Sequence, residues 1–158
     1  MARSTRYSTL RADNPAALMS SMRNFSKLAG VIFRGMRAAG LSARKVEYLV
    51  DLAMHFSDRL VHVNQWGLMD DESVITELIA IRGIGRWTAE MFLIFHLLRP
   101  NVLPLDDLGL IKGISQNYFS GEAVSRSDAR EVAQAWDPYR SVATWYMWRS
   151  LDPLPVSY

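Results

Sequence analysis

The segment Arg82-Gly83-Ile84-Gly85-Arg86 constrains the fold more than any other stretch of the chain. It lies directly between two runs of helical periodicity, one ending at about Ile81 and the other running from about Trp87 to Leu98. Two glycines around one apolar residue predict a hairpin linking two helices, too tight for side chains on its inner surface. A hairpin that feeds a helix N-terminus exposes backbone N–H groups without intrahelical partners, at the positive end of the helix dipole. An anion such as a phosphate fits there, with Arg82 and Arg86 on the flanks and the Thr88 hydroxyl added, and none of these contacts reads a base. Taken alone, the two glycines also fit a plain helix-to-helix turn.

Helical periodicity extends through nearly all of the sequence, with no alternating stretch long enough for a strand. Asn14-Pro15 is a cap and first-turn signal, and Leu18, Met22, Phe25 and Ala29 follow on one face up to Gly30. A short segment from Val31 to Ala39 stops at Gly40, and Ser42 is placed to cap a helix whose Val46, Leu49, Val50, Ala53 and Met54 share a face. The acids Asp70, Asp71 and Glu72 favour the start of the helix that leads into the hairpin. Beyond the hairpin, Pro100 and Pro104 break the chain before Asp106, Asp107 and a helical run from Leu108 to Phe119. Two further helices are expected from about Asp128 to Trp136 and from about Tyr139 to Leu151, with Asp152, Pro153 and Pro155 ending the fold. The expected class is all-α: a single helical domain of about seven or eight helices containing a helix-hairpin-helix.

At 158 residues, the chain is long enough to bury about 70% of its unfolded surface without a disulfide or structural metal. It holds no cysteine, which excludes a thiolate zinc site, an iron–sulfur cluster, a redox CxxC pair and a cysteine nucleophile. His55, His62 and His96 form no metal-ligand pattern and are assigned to surface or core, so no metal and no cofactor is expected. No apolar run approaches the ~18 residues of a membrane span and no apolar signal segment lies near Met1, so the expected setting is the cytoplasm, with no membrane partner.

The formal charge of +2 hides an asymmetry. Residues 1–45 hold nine bases and one acid, a net +8, which leaves −6 on residues 46–158. A basic front on an acidic body fits a polyanion partner. The acid-poor, Arg/Ser-rich residues 1–12 also fit a disordered start or an organellar transit peptide. The expected organisation is a basic N-terminal segment, 1–13, and one domain, 14–158.

Two stretches carry a family resemblance. Leu78-Ile79-Ala80-Ile81-Arg82-Gly83-Ile84-Gly85-Arg86-Trp87-Thr88-Ala89-Glu90 is followed some twenty residues later by Leu103-Pro104-Leu105-Asp106-Asp107-Leu108-Gly109-Leu110. At this spacing the pair resembles the helix-hairpin-helix DNA glycosylase superfamily, and within it the 3-methyladenine DNA glycosylase II branch, over residues 36–158. The resemblance implies a hairpin that grips the DNA backbone through Arg82, Gly83, Ile84, Gly85, Arg86 and Thr88 while the target nucleotide turns out of the duplex into a pocket. It implies an aspartate facing the sugar just after the proline-containing loop. By motif position that residue is Asp107, and Asp106 is left to cap the following helix. It places Trp87 and Trp148 in the base pocket, with Met91 one turn after Trp87 where the family can carry tyrosine. Trp66, Trp136 and Trp145 are assigned to the core.

The implied chemistry needs these residue types. Cleaving the bond between a base and deoxyribose builds oxocarbenium-like charge on the sugar, the demand that carboxylates meet in glycoside hydrolysis. A purine alkylated on a ring nitrogen is already cationic and leaves without a second, protonating carboxyl, so one carboxylate suffices to stabilise the sugar and orient water. An electron-rich indole face attracts the cationic base. Bifunctional members of the superfamily carry, after Gly-x-Gly-Arg, a lysine that attacks the sugar; Trp87 cannot form that Schiff base. The resemblance thus implies a monofunctional hydrolase that leaves an intact abasic site and acts as a monomer on double-stranded DNA containing alkylated bases such as 3-methyladenine, on a bacterial chromosome.

Residues 1–35 depart from the family pattern. Ala17 to Met22, followed by Phe25-Ser26-Lys27, stands where the family has a Gln-Gln-x-Ser-like segment, and there is no glutamine pair. A non-catalytic helix-hairpin-helix protein that binds DNA through residues 83–88 is the alternative reading.

Overall fold

The structure, a computed structural model, describes residues 31–152. The expected segment 1–13, the helix expected from Asn14 to Gly30, and Pro153 and Pro155 lie outside the described residues. Within that range the chain is all-α, with seven helices and no strand, and it divides into one unit ending at Leu49 and a second beginning at Val50. No helix among the described residues is long and apolar enough to cross a membrane.

In the described part of the first unit, α1 covers residues 31–38 and ends where Gly40 adopts a φ of +94°, a conformation that suits glycine. Ser42 then begins α2 (Ala43–Ser57) as expected, its hydroxyl accepting from the Lys45 N–H at 3.3 Å. Of the apolar face expected on α2, Val46 alone is buried; Leu49 and Met54 are more than two-fifths exposed. In the second unit, the α2 residue packed against the core is instead Leu52.

The second unit contains α3 (Asp71–Ile79), α4 (Arg86–Phe95), α5 (Leu108–Tyr118), α6 (Arg126–Val132), a 3-10 turn over Ala133–Trp136, and α7 (Arg140–Arg149). Asp70 caps α3 by accepting from the Ser73 N–H at 2.9 Å, while Asp71 and Glu72 meet the positive helix end. α3 buries Val74, Ile75 and Leu78, and α4 buries Ala89, Leu93 and Ile94; with Ile81, Trp66, Val61 and Val102 they form the larger core, which holds the two arms of the hairpin together. A smaller core joins Leu110 and Ile114 of α5 to Ala129 of α6. α5 packs most closely on α7, so the stretch after the proline loop and the C-terminal helix are neighbours.

Two expectations need correction. The side chain that caps α5 is Asp107, not Asp106: Asp107 Oδ1 accepts from the Leu110 N–H at 2.6 Å, whereas Asp106 turns outward to pair with Arg126 at 2.6 Å. Trp66 is buried and Trp136 packs against the smaller core, but Trp145 is 42% exposed and sets its ring edge-on to Tyr146. The residues that α7 turns fully inward are instead Ser141 and Thr144.

Candidate active site

Pro104, Leu105 and the start of α5 hold Asp107 in place. The Asp107 N–H donates to the Pro104 carbonyl at 2.9 Å, and the carboxylate reaches back over the first turn of the helix. Asp107 is 9% exposed, and three N–H groups converge on its carboxylate. Trp87 Nε1 donates to Oδ2 at 2.8 Å, Trp148 Nε1 donates to Oδ1 at 2.6 Å, and the Leu110 N–H shares Oδ1. Both indoles and the amide can only donate, which matches the acceptor-only character of a carboxylate.

Three residues expected at one site from separate parts of the sequence, Trp87 in the first turn of α4, Asp107 at the start of α5 and Trp148 near the end of α7, are therefore in direct contact. Trp87 is nearly half exposed, which leaves much of its ring accessible beside the carboxylate. Met91 lies one turn further along α4 and packs against the larger core. One more turn brings Phe95, a residue the sequence reading did not single out. It is 61% exposed, and its ring stacks on that of Trp148 with centroids 5.9 Å apart and planes 17° from parallel. Its signal was present in the continued spacing of residues 87, 91 and 95.

The hairpin stands beside this group. Its first residue is anchored by the Arg82 N–H, which donates to Asp51 Oδ2 at 2.7 Å. Gly83 adopts a φ of +91°, the left-handed conformation that favours glycine, and the Ile84 N–H closes the turn on the Ile81 carbonyl at 3.1 Å while its side chain packs on the core. Gly85 differs. Its φ of −93° is open to any residue, and a Cβ added there would meet no atom within 4 Å, so the expected crowding on the inner surface does not extend to it. No side chain caps α4, and its first helical bond is the Ala89 N–H to the Gly85 carbonyl, so the amides of residues 86–88 have no helical carbonyl to meet. Thr88 is exposed in that turn.

Arg86, expected beside a phosphate, has its guanidinium between two carboxylates. It makes a forked contact with Glu72 of α3, with Nη1 to Oε2 at 2.9 Å and Nη2 to Oε1, and its Nε donates to Glu90 Oε1 at 3.0 Å. The Arg86 contact holds Glu72 below the usual carboxylate range, and the Glu72 hydrogen bonds raise Arg86 itself. Glu90 moves the other way: burial raises it, against the pull of Arg86, and its Oε2 has no hydrogen-bond partner. The three histidines have partners away from this group: His55 Nδ1 lies 2.9 Å from the Asp51 carbonyl oxygen, His62 Nδ1 lies 2.5 Å from Glu77, and the His96 ring stacks on Phe92.

No family model matches the chain. Relatives and solved structures do. DNA-3-methyladenine glycosylase 1 of Schizosaccharomyces pombe is 34% identical over 119 residues, 75% of this chain and 52% of that protein. The crystal structure of a DNA-3-methyladenine glycosidase from Bacillus halodurans superposes with a TM-score of 0.72 at 31% identity, covering 89% of this chain and 70% of the other. A second structure, the S. pombe 3-methyladenine DNA glycosylase in complex with abasic DNA, gives a TM-score of 0.67 at 34% identity over 75% of this chain and 58% of the other. The chain spans about half the length of the first curated relatives it matches.

Proposed function

The chain belongs to the 3-methyladenine branch of the helix-hairpin-helix DNA glycosylases, and on that premise we propose that it is a monofunctional DNA glycosylase releasing alkylated, cationic purines such as 3-methyladenine. The observation that carries this reading is the Asp107 carboxylate held between the indoles of Trp87 and Trp148, next to a hairpin whose Gly85 leaves space open at the start of α4.

In this reading, DNA backbone phosphate lies against the amides at the start of α4, with Gly83, Ile84, Gly85 and Thr88 forming the surface and Arg82 at its edge. Arg86 contributes by fixing α3 to α4 through Glu72 and Glu90. The flipped base stacks on the open face of Trp87, with Met91, Phe95 and Trp148 completing this side of the pocket. The C1′–N bond then breaks with its electron pair passing to the base, which neutralises the positive charge the base carried. Asp107 stabilises the oxocarbenium-like sugar left behind, and a water oxygen bonds to C1′ with loss of a proton. Trp87 stands where a strand-cleaving enzyme needs an amine, so the product is an intact abasic site. The enzyme acts as a monomer on double-stranded chromosomal DNA in a bacterial cytoplasm.

Incubation with methylated DNA and chromatography of the free bases tests the proposal. Release of 3-methyladenine or 7-methylguanine, with no borohydride-trapped protein–DNA adduct, is the expected result. Tight, salt-sensitive DNA binding without release would instead identify a non-catalytic helix-hairpin-helix binder.

A further inference from the structure

Resting on the glycosylase reading, we propose that Gly109 is a positioning residue for Asp107: the absence of a side chain there is what allows the Trp148 indole to reach the carboxylate. Gly109 is the second residue of α5, where helical propensity favours almost any other residue. Its φ is not in the left-handed region, so backbone geometry does not require glycine. Space does. A Cβ at this position would lie 2.9 Å from Trp148 Cδ1, 3.1 Å from Trp148 Nε1 and 3.1 Å from Asp107 Oδ1. The last two atoms are the donor and acceptor of the 2.6 Å hydrogen bond that orients the carboxylate. A methyl group would press on both ends of that bond at once.

The indole cannot yield as the end of a flexible side chain would. Cδ1 and Nε1 belong to one rigid ring, so relief requires the whole indole to turn, and that ring is stacked on Phe95. The helix bearing it is also confined. One turn after Gly109, a Cβ on Gly113 would lie 2.8 Å from the Met147 carbonyl oxygen, so α5 presents a bare backbone to α7 at two successive turns. Gly113 permits the close approach of the helices, and Gly109 uses that approach to bring an N–H donor to Oδ1. The two glycines have separable effects: the second acts on packing, the first on the reactive group.

The test is Gly109→Ala in wild-type and Trp148→Phe backgrounds, with circular dichroism to confirm folding. In 15N-labelled protein, Gly109→Ala is expected to shift the Trp148 indole resonance upfield, as a lengthened hydrogen bond requires, and to leave that of Trp66, bonded to Glu77, in place. Base release is expected to fall about tenfold or more in kcat with little change in KM. In the Trp148→Phe background, which has no indole N–H to displace, Gly109→Ala should cause a clearly smaller further loss, the remainder coming from its contact with Asp107 Oδ1. An unmoved Trp148 resonance in folded Gly109→Ala, or the same fold-loss in both backgrounds, would overturn the proposal. Should Gly109→Ala fail to fold, recovery of folding in Gly109→Ala/Trp148→Ala supports the clash, and continued misfolding refutes it. If the wild-type protein releases no base, the glycosylase reading fails, while the indole resonance still decides the role of Gly109.

Discussion

The indole N–H of Trp87 donates to Asp107 Oδ2 at 2.8 Å, joining the first turn of α4 to the residue that starts α5. Asp107→Asn preserves an oxygen for the Leu110 and Trp148 donors and so retains the helix cap, but sets an amide N–H2 against the Trp87 N–H and removes the negative charge. Base release from methylated DNA is expected to fall on the order of 100- to 1,000-fold, with duplex affinity kept. Single-turnover release at the wild-type rate would remove Asp107 from the chemistry.

Trp87→Phe separates the two contributions of the indole, because it deletes the donor and keeps an aromatic face. A hydrogen bond to a charged group contributes about 1.5–3 kcal/mol, so a loss of about tenfold or more in kcat is expected, with substrate affinity changed less. Trp87→Leu, which deletes the face as well, is expected to weaken affinity for methylated DNA further. Equal kinetics for the two variants would show that the ring does not meet the base.

The hairpin glycines are expected to respond in opposite ways. Gly83→Ala forces a left-handed φ on a residue with a Cβ and should lower stability by about 1–2 kcal/mol in a denaturant titration. Gly85→Ser places a favoured capping residue at an extended position with open space around it, so stability should hold or rise slightly. DNA affinity should nevertheless drop about tenfold, as the hydroxymethyl group displaces a phosphate from the backbone amides. Unchanged anisotropy titrations for Gly85→Ser would place the DNA elsewhere.

Glu90 gives a pH signature. Burial raises it above its ordinary value of 4.5, so the folded protein holds this proton more tightly than the unfolded chain does. That contribution is fully present below pH 4.5 and is lost as pH rises through the elevated value, so wild-type stability should decline over that interval. Glu72 and Glu77 are held below the ordinary range and act in a lower window, where stability is lost as pH falls. Glu90→Gln should abolish the upper decline and leave the lower one. Parallel pH–stability curves for the two proteins would contradict this assignment.

What could be read from the sequence was mostly local. Asp70 before Ser73, Gly40 after α1 and the glycine hairpin are each decided by neighbours within a few residues. The start of α6 was readable too: Ser125 and Asp128 form a capping box, a four-residue signal, although the sequence reading began that helix at about Asp128. The choice between Asp106 and Asp107 was not local, since either can cap α5 and the outcome involves Arg126, which draws Asp106 outward. Arg86 has the same character. Its pairing with Glu90 follows helical spacing, but Glu72 comes from the other arm of the hairpin. At the site, motif resemblance placed Trp87, Asp107 and Trp148 together, while only the folded geometry revealed that both indoles aim their N–H groups at one carboxylate.

Asp107 is at once the cap of α5 and the acceptor for two tryptophans. Because the bond that begins the helix also fixes the carboxylate, this group gives up its rotational freedom when the chain folds rather than when a substrate arrives. Swinging it away would mean fraying α5 and stranding two indole donors, so the site meets its substrate with the reactive oxygens already set.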